Sequence, residues 1–124
     1  MLENPNPIEE TRRTYQAIDR VEALAAELTV GDPRFMAFWD LADLGVTKWD
    51  LQHGNHTNSA VQGFTDENDL KNKVALIEAR ISGRFSETPG YFKAFKELRF
   101  DVDRVAAGGF KDVLWNVQNT VAGK

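Results

Sequence analysis

Residues 33–45 read PRFMAFWDLADLG, and the fold turns on them. Phe35, Met36, Phe38, Trp39, Leu41 and Leu44 fall on every side of a helical projection, not on one stripe. A helix that is apolar all round needs neighbours all round. The stretch also carries its own start signal: Asp32 stands as a capping side chain and Pro33 occupies the first helical turn, where a missing N–H costs nothing. Gly45 reads as its end. These residues therefore predict a central helix over about 33–44, with the rest of the chain packed around it.

The neighbours are legible on both sides. Ile18, Val21, Leu24, Ala25 and Leu28 recur at helical spacing over about 7–29, behind an Asn6-Pro7 start. Leu70, Val74, Ile77, Ile81 and Phe85 do the same over about 66–85, where Thr65 and two acids open the helix. Tyr91, Phe95, Leu98, Val102 and Val105 do so over about 89–107, behind Thr88-Pro89. Thr47-Lys48-Trp49-Asp50 has the form of a capping box and predicts a short helix over about 47–53. After Gly108-Gly109, residues 110–122 are rich in β-branched side chains. Both helix and strand stay open there, although Phe110, Val113, Leu114, Val117 and Val121 keep helical spacing. The expectation is one all-α domain over 1–124: a compact bundle of four main helices plus the short one, with the second helix central.

Composition narrows the function classes. The chain has 124 residues and no cysteine, which removes disulfides, thiolate metal sites and cysteine nucleophiles. Its apolar runs are too short to span a bilayer, and its acidic, proline-containing start is unlike a signal peptide, so a cytoplasmic location is the expectation. Net charge is −4, and neither half has the basic excess that phosphate binding demands. Nucleic acid is accordingly not the expected partner.

Three segments are candidates for function. The first is the polar island QHGNHTNS at 52–59, which holds both histidines, His53 and His56. Their spacing is interrupted by glycine, and no Glu-x-x-His motif accompanies them, so the expected reading is a polar connector with a contact role; a metal or enzymatic site is the alternative. The second is LADLGVTKWDL at 41–51, which resembles a helix-turn-helix in Leu44, Gly45, Val46, Thr47 and Leu51. That resemblance implies a DNA-binding regulator using residues 41–54. It covers about 20 residues, and Leu41 and Gly54 depart from the pattern, which wants a small residue at the first and a buried aliphatic at the second.

The third candidate is a pair of displaced aromatics. On a helical projection Phe100 lies opposite the Phe95–Val102 stripe, flanked by Lys96 and Arg104 at four residues either side. Trp115 likewise points away from Val113, Leu114 and Val117. Aromatics in a charged surround are typical anchors of protein interfaces. A third-helix strip of Lys73, Arg80 and Arg84 reads as flanking cations covering the core edge, with contact to an acidic partner as the alternative. The expected function is thus a non-catalytic helical interaction module, a small subunit, an adaptor or a self-associating dimer. It would bury Phe100 and Trp115, with Lys96 and Arg104 at the rim, against another protein or a second copy. No cofactor or metal is expected.

Overall fold

The structure is a computed structural model that describes residues 7–53 and 67–124. Five helices account for nearly all of them: α1 (Pro7–Glu27), α2 (Pro33–Gln52), α3 (Glu67–Glu87), α4 (Tyr91–Ala107) and α5 (Lys111–Ala122). Among the described residues there is no strand, and of the stretch 110–122, left open by its composition, all but Phe110 form α5, with Phe110 at its N-cap. The helical spacing of their apolar residues decides the matter: Leu114, Val117 and Val121 are buried on one face.

The second helix is central, as its all-round apolar pattern requires. It packs most extensively against α4, then against α3, and also meets α5. α1 and α5 close the other side of the bundle by packing on each other and on α4. The main core gathers Phe35, Phe38 and Leu41 of α2 with Val21 of α1, Val102 and Val105 of α4 and Leu114 of α5. Each such side chain, taken out of water, contributes about 1.5–3 kcal/mol. A smaller cluster of Ala37, Ile77, Ile81, Tyr91 and Ala94 seats α3 against α2 and α4. Asp32 starts α2 as expected: its carboxylate accepts from the Arg34 backbone N–H at 2.8 Å.

One boundary differs from the sequence expectation. Gly45 does not end α2, and the short helix expected over about 47–53 is the last part of the same continuous helix. The reason is a close crossing. A Cβ placed on Gly45 would lie 2.6 Å from the Ala106 Cβ of α4, a separation that side-chain carbons do not tolerate. The glycine is there so that two backbones can approach, where the last turn of α4 crosses α2. Thr47 caps nothing; it is buried, and its hydroxyl donates to the Asp43 carbonyl one turn back at 2.8 Å. Residues 41–52 therefore contain no turn, and the helix-turn-helix resemblance fails at the geometry it depends on.

A second boundary moves for a related reason. α3 continues to Glu87, and α4 begins at Tyr91 behind Gly90, whose φ is +82°. Thr88-Pro89 forms the turn between them and not a helix start. Gly109, also at φ +82°, turns the chain from α4 into α5 and lies under the Trp49 indole, where a Cβ would sit 3.3 Å away.

Candidate functional site

The side chains that α2 presents to α3 include an aspartate among apolar residues. Asp40 is 1% exposed. A lone buried carboxylate would be strongly unfavourable, and this one is fully answered. Arg80 Nε donates to its Oδ1 at 3.0 Å, Arg84 donates to its Oδ2 at 2.8 Å, and the Tyr91 hydroxyl donates to the same oxygen at 2.6 Å. Arg80 also reaches Asp43 at 3.2 Å, and Lys73 approaches Asp43 at 3.5 Å. Burial, followed by the hydrogen bond to Asp40, raises the Tyr91 phenol far above the ordinary tyrosine value. The Lys73–Arg80–Arg84 strip of α3 is therefore spent on α2 within the molecule.

This network positions an aromatic wall. Tyr91 is held at the start of α4 by its hydroxyl, and Phe85 near the end of α3 packs on it with ring centroids 5.9 Å apart. Phe85 also meets Phe92 at 5.0 Å and Phe95 at 5.1 Å, both edge to face, the arrangement that ring quadrupoles favour. α3 and α4 touch each other little elsewhere, and the space between them is a groove of about 630 Å³. Its floor is Leu41, Leu44 and Gly45 of α2; Ile81 and Phe85 line one side, Phe92, Phe95 and Ala106 the other. A groove of this size, mostly apolar with a few charged groups at its edge, has the general character of a binding site.

The rim is charged and slightly positive. Lys48 sits 3.9 Å from Glu78, and Arg99 sits 3.6 Å from Asp103. The Asp103 carboxyl is raised above its ordinary value chiefly because the surrounding protein desolvates it, although about half of its side chain still meets solvent. Lys96 has no carboxylate partner among the described residues and lies over the Phe92 ring, 4.6 Å from its centroid. The groove edge thus holds three cations against two carboxylates, on a chain whose net charge is −4.

The sequence-derived residues fall in three places. Phe100, Lys96 and Arg104 come together: the outer face of α4 continues the groove through Lys96, Arg99 and Asp103 to Phe100, which is 65% exposed. Arg104 stacks on Phe100 at 5.3 Å but also pairs with Glu10 of α1 at 2.8 Å, so its charge is partly used in holding α1 to α4. Trp115 is elsewhere. It borders a separate cleft between α2, α3 and α5 together with Trp39, and shares no lining residue with the groove. His53 caps the end of α2; its ring stacks on Trp49 at 4.0 Å, and its Nδ1 lies 2.8 Å from the Trp49 carbonyl, to which it can donate. His56 lies outside the described residues. Among the described residues no group of three or more histidines, aspartates or glutamates could hold a metal ion.

Sequence reasoning missed the Asp40 network and the Phe85–Phe92 wall. The signal for the first was present: Asp40 within the otherwise apolar run Phe35–Leu41, and a strip of cations seven and four residues apart on another helix. The second is hidden because Phe85 falls on the Leu70–Ile81 core stripe by spacing, and Phe92 sits beside the Tyr91–Phe95 stripe with nothing local to mark it.

Comparison with known proteins yields no match: no family model, no curated protein and no solved structure is significantly similar to this chain.

Proposed function

We propose that the protein is a non-catalytic helical interaction module that takes an acid-flanked amphipathic helix of another protein into the groove between α3 and α4. The observation that carries this reading is the continuity of the aromatic surface. Phe85, Phe92 and Phe100, all exposed, run from the groove onto the outer face of α4, edged by Lys48, Lys96 and Arg99. An amphipathic helix presents apolar side chains every three to four residues, and such a helix laid in an apolar groove is a recurrent mode of recognition. The surplus positive rim of an otherwise acidic chain favours a guest with glutamates or aspartates along its flanks. Aromatic anchors supply the binding energy, and the charges set orientation.

The test uses a designed amphipathic peptide of about 18 residues, about 27 Å of helix, with leucine and phenylalanine on one face and glutamate on the flanks. Its counterpart carries lysine in place of glutamate. Fluorescence anisotropy of labelled peptide should show saturable binding of the acidic form, weaker binding of the basic form, and loss with Phe92→Ala or Phe100→Ala. Equal binding of both peptides would remove the charge argument. Binding of neither, in a protein that light scattering shows to be a dimer sensitive to Phe100→Ala, would assign the surface to a second copy instead.

A further inference from the structure

On the other flank of α2, the gap between α3 and α5 is a cleft of about 230 Å³ that the groove reading does not use. α2 contributes Trp39, Asp43 and Asp50 along one face, and α5 contributes Trp115 and Gln118. Gln118 is the residue that requires explanation. It is only 8% exposed, yet among the described residues its amide makes no hydrogen bond. A residue this buried usually has its amide bonded within the protein, whereas this one leaves its amide to water or to whatever enters the cleft. Its side-chain nitrogen and oxygen are not sealed inside the protein, and the residue lines the cleft.

The remaining walls narrow the chemistry of what could meet that amide. Both indoles stand at the cleft edge with over two fifths of their surface open, Trp39 at 42% and Trp115 at 43%. Large flat apolar faces at a polar cleft suit a ring that has one apolar face. The carboxylates are already neutralised: Asp43 by Lys73 and Arg80, and Asp50 by Lys111. An organic cation would find no unpaired anion among the described residues, and an anion would meet two carboxylates against the one ammonium of Lys73, itself paired with Asp43. Paired ions of this kind still present donors and acceptors side by side, as does the Gln118 amide. A hydroxyl is the group that can donate and accept at once. The volume is below that of a drug-sized pocket and suits a single ring.

We propose that this cleft binds one uncharged polyhydroxylated ring, a saccharide unit, with its hydroxyls bonded to the Gln118 amide and the Asp50 carboxylate and its apolar face against Trp115. The cleft then completes with ligand the hydrogen bonds that the fold leaves open. Removing the amide should cost nothing in stability, because among the described residues it has no bond to lose.

The experiment titrates the whole protein with methyl glucoside, methyl galactoside and methyl mannoside, read by tryptophan fluorescence. Adenosine and tetramethylammonium chloride serve as a heterocycle and a cation of similar size. At least one glycoside should saturate below about 50 mM, and Gln118→Leu and Trp115→Leu should each weaken it about tenfold. Gln118→Leu should also hold or raise Tm, which separates a ligand-facing amide from one with a structural bond. Failure of every glycoside to saturate overturns the proposal, and so does a response to adenosine or tetramethylammonium alone. A glycoside response that Gln118→Leu leaves unchanged overturns it equally, as does a fall in Tm on that substitution.

Discussion

Exchanging the two small residues at the α2–α4 crossing tests how the fold is held. Gly45→Ala places a methyl where the Ala106 Cβ lies 2.6 Å away, and both atoms are attached directly to backbone. Neither can swing aside, so relief requires the helices to separate, at a cost of about 2 kcal/mol for overpacking in a well-filled core. Against this, alanine is the better helix former by about 1 kcal/mol. The net effect should be a destabilisation of about 1 kcal/mol, the difference between those two contributions. In an Ala106→Gly background the clash partner is gone and only the propensity gain remains, so the same Gly45→Ala change should stabilise by about 1 kcal/mol. The coupling is about 2 kcal/mol, within the range of directly touching residues. Urea unfolding of the four proteins, followed by far-UV circular dichroism, reads all the differences. The refuting results are specific. Stabilisation by the same amount in both backgrounds would mean that Gly45 is an ordinary helix position with room around it. Destabilisation by the same amount in both would mean that it is a turn glycine, as its sequence context suggested.

Three further outcomes follow from the site. Asp40→Ala strands the buried Tyr91 hydroxyl and two guanidiniums; because Arg80 and Arg84 can rehydrate, the loss should be about 3 kcal/mol, at the lower end for a broken buried pair, measured by urea unfolding. Phe100→Ala should change stability by less than about 0.5 kcal/mol, since the ring is largely solvent-exposed, so any loss of partner binding can be read without a folding correction. The neutral form of Tyr91 is favoured in the folded state, so its stabilisation is complete below the unfolded tyrosine value of about 10 and declines as pH rises above it. Ultraviolet absorbance should show one of the two tyrosines remaining protonated until the protein unfolds in alkali.

The bundle was legible because periodicity and capping act locally. Asp32-Pro33 and the Leu70–Ile77–Ile81 stripe mark their helices with no knowledge of what surrounds them. What misled was Gly45, for which a single sequence offers two meanings: a helix end and a close crossing leave the same residue. Only the presence of Ala106 opposite decides between them, and that is a fact about residues some 60 positions away. Site legibility divides the same way. Phe100 stood out because its own helix puts charge on every side of it, and the structure leaves it exposed in a charged surround. The groove did not, because Phe85 belongs to a core stripe by spacing and becomes a wall only where α3 and α4 diverge. Gln118 carries no local mark at all: its lack of a partner among the described residues is visible only once the helices are assembled.

The two walls of that groove are fastened by different forces. α4 is locked to α2 by backbone approach at Gly45, whereas α3 is attached through three buried apolar side chains and a set of guanidinium–carboxylate pairs. Such a groove works as a caliper, with one jaw fixed and one on an electrostatic spring. Dissolved ions act unequally on the two: Asp40 is buried, so its pairs with Arg80 and Arg84 are little screened, while the exposed Lys96 loses its attraction for an acidic guest. Salt therefore weakens the attraction while leaving the jaws set, and occupancy of the groove by an acidic guest should fall steadily as ionic strength rises.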